Sequence, residues 1–172
     1  LVLVEHPSVY TAGKRTQDHE RPHDGTPVID VDRGGKITWH GPGQLVVYPI
    51  FKWDLEGEVS VAAIISLLEQ WIIQTLARCG IKGTRDERMQ GVWVDDKKIS
   101  SIGLSFLRWV SRHGFTINYK TPKGRVEMLA GCGLDRSTTT SLAQLGHTIE
   151  HEQLLAALLK TMPESIHRSQ KK

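Results

Sequence analysis

The order of predicted elements indicates an α/β or α+β domain built around a mixed or antiparallel sheet. Strand-like runs come first, one long amphipathic helix follows at residues 59–77, and more strand-like runs come after it. A single domain is expected over residues 1–165, because the 172 residues can bury a sizeable core and no linker or internal repeat divides them. Residues 166–172 are expected to form a polar tail.

The part before the helix is predicted to hold short strands and one long loop. Residues 1–4 and 28–31 are β-prone, and residues 45–51 form a nearly continuous apolar run that is typical of a buried strand. Residues 6–27 are rich in Pro, Gly, Thr and charge, which predicts a loop. The chain lacks a starting Met and opens inside a strand-like run, so we expect residues to be missing upstream.

The helix and the elements that follow it have clear boundaries. Ser60 is a plausible N-cap and Gly80 a plausible C-terminal stop. Three further strands, a pair of helical turns and a final helix are predicted at residues 90–94, 98–110, 115–119, 124–130 and 152–161. The residues between the second and third of these strands predict a bend at His113-Gly114.

Charge and composition exclude several classes of protein. The formal net charge is +3 and no basic run resembles a nucleic-acid-binding arm. The longest apolar stretch, near residues 61–68, reads as too short to span a bilayer, and no export signal is visible. Two cysteines make no disulfide framework and no metal-ligand spacing. We therefore expect a cytoplasmic, monomeric protein without a metal, a nucleic-acid partner or a membrane partner.

Gly131-Cys132-Gly133 is a candidate nucleophile segment. Two flanking glycines leave the sulfur accessible and allow backbone N–H groups to face a developing oxyanion. The local sequence alone favours the alternative, a turn cysteine without any role. Cys79 ends the long helix and is expected to be a small core residue.

Lys98 is a candidate acid–base group in the predicted strand 98–110. It shares a strand face with residues that become apolar further along, so it would enter the interior near its rim. A partly buried lysine has a lowered pKa and can stabilise a nearby thiolate. The alternative is a solvated lysine in a turn.

A glycine-rich stretch from Arg33 to Gln44 is a candidate acyl or pantetheine slot. Gly and Pro recur within 33–35 and 40–44, and their spacing matches neither the P-loop nor the glycine-rich loop of dinucleotide-binding domains. A tight hairpin is the alternative, in which His40 is a base, a wall or simply a hydrogen-bonded side chain. Residues 113–118 could form another wall of the same pocket.

Taken in order, these segments resemble the lipoyl(octanoyl) transferases. The first and most diagnostic segments are His6-Pro-Ser-Val-Tyr-Thr-Ala-Gly13 and Arg33-Gly-Gly-Lys-Ile-Thr-Trp-His-Gly-Pro-Gly-Gln-Leu-Val-Val-Tyr-Pro49. Gly91-Val-Trp-Val, Lys98-Ile-Ser-Ser-Ile-Gly103, His113-Gly-Phe-Thr-Ile-Asn118, Gly131-Cys-Gly-Leu134 and Thr140-Ser-Leu142 follow. The resemblance covers residues 3–145.

The resemblance implies the fold of biotin and lipoate protein ligases, with a mixed or antiparallel sheet flanked by helices. It implies that Cys132 carries an acyl thioester and that Lys98 lowers the pKa of the thiol and shuttles protons. It also implies an acyl-binding set made of Arg33, Gly34, Gly35, Lys36, Ile37, Thr38, Trp39, His40, Ser101, Ile102, Gly103, Gly114, Phe115 and Thr116. Gly131 and Thr116 depart from the Pro and Ala that are usual in the family.

The implied reaction is the first step of endogenous protein lipoylation. An octanoyl group moves from acyl carrier protein to the lysine of a lipoyl domain, in 2-oxoacid dehydrogenase complexes or the glycine cleavage H protein. No cofactor is implied beyond the phosphopantetheine arm that delivers the acyl group. Three alternatives remain: an ATP-dependent lipoate or biotin ligase, a silent module that binds carrier domains and, more remotely, a cysteine protease.

Overall fold

A computed structural model describes residues 1–54, 60–129 and 137–166. Within these ranges, eight strands form two sheets and two α-helices pack beside them. The strands are β1 (Val2–Val4), β2 (Val9–Ala12), β3 (Val28–Asp30), β4 (Ile37–His40), β5 (Gln44–Tyr48), β6 (Val92–Val94), β7 (Lys97–Leu107) and β8 (Val110–Asn118). The helices are α1 (Val61–Arg78) and α2 (His151–Lys160), and short 3₁₀ turns lie at Asp18–Glu20, Ala143–Leu145 and Glu164–Ile166.

The large sheet has the strand order β1-β5-β8-β7-β6, and every neighbouring pair in it is antiparallel. Two tight hairpins build its far half. Asp95 and Asp96 connect β6 to β7, and Arg108 and Trp109 connect β7 to β8, all four with positive φ. Two successive residues with positive φ match the right-handed twist of the flanking strands, so both hairpins stay closely paired.

The small sheet has the order β3-β2-β4 and mixes strand directions. β2 pairs parallel to β3, with Tyr10 opposite Val28, and antiparallel to β4, with Val9 opposite His40. The predicted combination of mixed and antiparallel pairing flanked by helices is therefore present, divided between two sheets.

The main core lies between the large sheet and the helices. Ser60 caps α1 by accepting a hydrogen bond from the Ala63 amide at 3.3 Å, and the helix ends before Gly80, whose φ is +75°. Trp71 joins the layers, because its indole N–H donates to the Leu158 carbonyl at 2.9 Å and its ring meets Phe115 edge-on at 5.4 Å.

The apolar stretch at residues 61–68, which the sequence suggested is too short to span a bilayer, is part of the longer helix α1. The helix has 18 residues with a mean hydropathy of 1.2, so its length and composition would allow it to cross a membrane. Its apolar side, however, is packed into the core of the protein, with Ile64, Leu68 and Ile72 at most 1% exposed. A helix that packs one side into a protein core needs apolar residues just as a membrane-spanning helix does, so burial against the sheet explains the hydropathy of α1.

Five sequence predictions are corrected by the structure. The predicted loop 6–27 contains β2, whose partners lie elsewhere in the chain. The predicted strand 98–110 is two strands with a turn at Arg108 and Trp109, and β8 continues through His113 without a break in its pairing. Residues 124–129 form hydrogen-bonded turns, with no α-helix. Ile166, expected in the tail, is 4% exposed and packs in the core.

Candidate active site

A cavity of about 280 Å³ lies between the two sheets. Strands β2 and β4 of the small sheet form one wall, and β5, β7 and β8 of the large sheet form the other. The apolar part of its lining consists of Val31, Ile37, Trp39, Val46, Met89, Ile102, Phe115, Val126 and Leu129. This volume is at the lower end of the roughly 300–1,000 Å³ of small-molecule sites, which suits a short, unbranched apolar group.

Lys98 lies at the second residue of β7 and is 4% exposed. The register of β6 against β7 shifts between Val92 and Trp93, which places a bulge next to Lys98. Its side chain borders the first cavity and a neighbouring one, and these two cavities share six lining residues. Gly91 makes room for it, because a Cβ there would lie 2.7 Å from Lys98 Cε. The predicted position near the rim of the interior is therefore observed.

Cys132 lies outside the described residues, as do its neighbours Gly131 and Gly133. The chain on both sides of residues 130–136 is described and lies next to the cavity, where Leu129 and Thr139 form part of the lining. Two hydrogen bonds tie the returning chain to the start of β7. The Lys98 amide donates to the Thr138 carbonyl at 2.9 Å, and Lys97 Nζ donates to the Ser137 carbonyl at 3.0 Å.

Arg33 is 8% exposed and holds the glycine-rich loop in place. Its Nη1 donates to the carbonyls of Gly34 and Lys36 at 2.9 and 2.8 Å. Its Nη2 donates to the carbonyl and the hydroxyl oxygen of Thr11, both at 2.8 Å. The guanidinium thus connects β2 to the loop that follows β3 through hydrogen bonds to protein oxygens.

His40 forms part of the cavity wall and is neutral at physiological pH. Burial lowers the pKa of its imidazole from 6.5 to about 4, with the positive charge of Arg33 adding to the effect. Its Nδ1 lies 2.7 Å from Gln44 Oε1 and its Nε2 lies 3.0 Å from Thr11 Oγ1. Both ring nitrogens are therefore occupied by protein partners.

The family of the chain follows from a comparison with known proteins. The model of the lipoyl protein ligase A/B catalytic domain matches residues 1–163. The chain belongs to this family. An octanoyltransferase from Salinispora tropica is 45% identical over 173 residues, covering 96% of this chain and 80% of that protein. One from Mycobacterium tuberculosis is 43% identical over 162 residues, covering 92% and 70%.

The fold comparison agrees with this assignment. A bi-partite lipoate protein ligase from Thermoplasma acidophilum superposes with a TM-score of 0.70, covering 96% of this chain and 70% of that one. At 14% identity, that likeness shows the ligase fold alone. The relatives at 43–48% identity are octanoyltransferases, so within the lipoyl ligase family this chain is an acyltransferase of the octanoyltransferase group, and the reading as an ATP-dependent ligase is disfavoured.

The structure brings the predicted site residues other than Cys132 together. Lys98 and all fourteen residues that the octanoyltransferase resemblance assigns to acyl binding line the cavity between the sheets. Their binding of an acyl group stays a prediction. Sequence reasoning included Gln44 and Asn118 in the candidate segments without pairing them, and it missed the β5 residues Val46 and Tyr48 as site residues; all four line the same cavity. Alternation within β5 was a usable signal, because Gln44, Val46 and Tyr48 share one face.

Proposed function

We propose that this octanoyltransferase moves an octanoyl group from acyl carrier protein to the lysine of a lipoyl domain through a thioester on Cys132. Lys98 serves as the proton-transfer group. The reaction would take place in the cytoplasm, on the lipoyl domains of 2-oxoacid dehydrogenase complexes and on the glycine cleavage H protein, and the reaction itself calls for no ATP and no metal.

The observation that carries this proposal is the position of Lys98. A lysine that is 4% exposed borders an apolar cavity, and both flanks of the Cys132 segment border that cavity too. Burying an ammonium group is costly unless it interacts with other groups, so a lysine at this position needs a functional or structural reason. A functional reason is available, because octanoyl transfer requires a group that exchanges protons with a thiol and with an incoming amine.

The cavity lining supports an acyl substrate over a polar one. The polar groups on its wall bond largely to each other, as Arg33 does to Thr11 and His40 does to Gln44. What remains for a ligand is mostly aliphatic and aromatic surface. Burial of methylene groups there contributes about 0.8 kcal/mol for each one, which is sufficient to select a medium-length chain.

The transfer divides into two balanced steps. The Cys132 thiolate attacks the thioester carbonyl, a new C–S bond forms, the bond to the carrier sulfur breaks, and the Lys98 ammonium gives its proton to the departing thiolate. The amine of the acceptor lysine then attacks the new thioester. A C–N bond forms, Cys132 leaves as a thiolate, and Lys98 takes the proton from the nitrogen. The amide product is far more stable than a thioester, so the second step is strongly favourable.

Intact-mass measurement with peptide mapping tests this proposal. After incubation with octanoyl-acyl carrier protein without ATP, we expect an octanoyl adduct on Cys132 that a lipoyl domain discharges. Cys132→Ser should abolish the adduct, and Cys79→Ser is the matched control that should retain it. No adduct, together with octanoylation that needs ATP and free octanoate, would favour a ligase instead. Carrier binding with no transfer at all would favour a silent binding module.

A further inference from the structure

Two buried amides face each other on the cavity side of the large sheet. Gln44 is 1% exposed and Asn118 is 2% exposed, and they are register partners on β5 and β8. A buried amide is costly unless its polar atoms are paired, and a pair of aliphatic residues would fill the same sites without that cost. The two amides therefore point to a role beyond packing.

The bonds of Asn118 lead to Lys98. Asn118 Nδ2 donates to the Thr140 carbonyl at 3.0 Å, and the Thr140 amide donates to the Lys98 carbonyl at 2.9 Å. The Lys98 amide in turn donates to the Thr138 carbonyl at 2.9 Å. Asn118 thus holds residues 138–140 as a short parallel bridge along the start of β7, where Lys98 enters the cavity.

The bonds of Gln44 lead to the opposite wall. Gln44 Nε2 donates to Asn118 Oδ1 at 2.8 Å and to the Trp39 carbonyl at 3.2 Å, while its Oε1 accepts from His40 Nδ1 at 2.7 Å. His40 then carries its proton on Nδ1, so Nε2 is free to accept from the Thr11 hydroxyl at 3.0 Å.

The hydrogen bonds from Arg33 to the Thr140 carbonyl form a continuous chain with the same donor-to-acceptor direction throughout. The Arg33 guanidinium donates to the Thr11 hydroxyl, and each later group accepts from the one before it and donates to the next, as far as the Thr140 carbonyl. A neutral His40 is required for this arrangement, and burial keeps its pKa at about 4. A chain of this kind fixes tautomers and amide orientations together.

We infer that Gln44 and Asn118 are positioning residues that hold the backbone of Lys98 in register with the opposite wall of the acyl cavity. The inference rests on the proposed function in one respect, that Lys98 transfers protons. Neither amide takes part in the chemistry. Because a displacement of about 1 Å can lower a rate by roughly 100-fold, loss of this link should reduce turnover far more than it reduces substrate affinity.

The sharpest test is a pair of substitutions at Asn118. Asn118→Leu removes both hydrogen bonds, and we expect kcat to fall by roughly 10- to 100-fold at every pH while KM for the acyl carrier changes little. In Asn118→Asp the carboxylate still accepts from Gln44 and repels the Thr140 carbonyl. Once protonated, it donates to that carbonyl, so the ratio of its kcat to that of the wild type should rise as pH falls from about 8 to about 5.5.

Other titratable groups near position 118 have to be accounted for. His40 faces it through Gln44, while Lys98 and Glu127 face it through Thr140, whose hydroxyl donates to Glu127 Oε1 at 3.0 Å. Because wild type and variant share these groups, the kcat ratio at each pH removes their contribution. A ratio that does not change with pH would overturn the inference.

Ser111→Ala is a matched control at the other end of β8. Ser111 is fully buried, accepts from the Trp53 indole at 2.8 Å and donates to the Pro49 carbonyl, and it does not line the cavity. We expect it to lower the melting temperature without changing kcat. If Asn118→Leu lowers kcat no more than this control does at a similar melting temperature, the amides are merely structural.

Amide hydrogen exchange separates this inference from the proposed function, because it needs no substrate. In Asn118→Leu and Gln44→Leu, the amides of Lys98 and Thr140 should exchange faster than in Ser111→Ala. Unchanged protection would contradict the positioning role even if octanoyl transfer is confirmed. Faster exchange in a protein that forms no octanoyl adduct would leave the link established and the proposed function wrong.

Discussion

The two faces of the large sheet differ in chemistry although the same strands form both. The face toward α1 and α2 is apolar, with Leu45, Val47 and Ile117 at most 1% exposed. The face toward the small sheet carries Gln44, Val46, Tyr48, Gly114, Thr116 and Asn118 along the same two strands. Alternating residues thus pack in the core on one side and line the cavity between the sheets on the other.

This division makes the two roles separable by mutation. Substitutions on the helix-facing side should change the free energy of unfolding and leave kinetics alone, because that side is close-packed. Substitutions on the cavity side should change kcat or KM more than stability, because these residues border the cavity that we propose binds the substrate. Comparable residues on opposite faces provide the matched pairs.

The largest effect is expected from Lys98→Met, which keeps the aliphatic stem and removes the ammonium group. Octanoyl transfer should fall by about 10²- to 10⁴-fold, the usual contribution of a positioned acid–base group. Lys160→Met, at the exposed end of α2, is the control and should transfer at the wild-type rate. Wild-type kcat in Lys98→Met would show that Lys98 is structural.

Gly91→Ala should lower both stability and kcat, because Gly91 has φ of +129° and lies against Lys98. An added Cβ would overlap the Ser100 carbonyl oxygen and lie 2.7 Å from Lys98 Cε. We expect a loss of about 1–3 kcal/mol of stability from backbone strain, and a lower kcat. Gly80→Ala is strained at φ +75° with nothing within 4 Å of the new Cβ, so it should lower stability only. Equal kcat losses in both variants would contradict this.

Val47 and Val46 are adjacent residues of β5 on opposite faces, 0% and 2% exposed. Val47→Ala should lower the free energy of unfolding by about 2 kcal/mol by leaving a hole in the core, with KM unchanged. Val46→Ala should cost less stability and allow longer acyl chains, because it enlarges the cavity. Urea denaturation and a series of acyl donors of different length measure the two effects. Identical behaviour of the pair would remove the distinction between the faces.

Sequence reasoning locates a site residue more easily when the residues it acts with are close to it along the chain. The motifs at 33–40, 101–103 and 114–116 were locatable because each is contiguous, and all three border one cavity. The bond between Gln44 and Asn118 was not, because 74 positions separate them and their pairing depends on the register of β5 and β8.

Two strand errors have the same physical origin. β2 is only four residues long and sits among turn-forming residues, so its local pattern is weak, and both of its partners are distant in sequence. The turn between β7 and β8 is made by Arg108 and Trp109, which adopt positive φ without the Gly or Asn that normally marks such a turn. In both places, tertiary pairing decides what local propensity does not.

His40 provides a pH test of the cavity face. Because burial lowers its pKa from 6.5 to about 4, the unfolded chain binds an extra proton between those values. Stability should therefore fall as pH drops through this window, by on the order of 3 kcal/mol. Urea denaturation of wild type and His40→Gln across the window isolates this contribution from that of the carboxylates. A difference between the two curves that is constant with pH would contradict a depressed His40 pKa.

The smallest effect is expected at Thr116, where the resemblance to the octanoyltransferases leads us to expect Ala. Its side chain borders the cavity and its hydroxyl accepts a long hydrogen bond of 3.4 Å from the Ser101 amide. Thr116→Ala should change stability by about 1 kcal/mol or less and shift the kcat/KM ratio of decanoyl to octanoyl donors upward by a few-fold. Thr75→Ala, buried in α1, should leave that ratio unchanged. An equal shift in both variants would mean that the preference for acyl-chain length depends on packing throughout the protein. No shift in Thr116→Ala would mean that the cavity wall formed by β8 does not determine this preference.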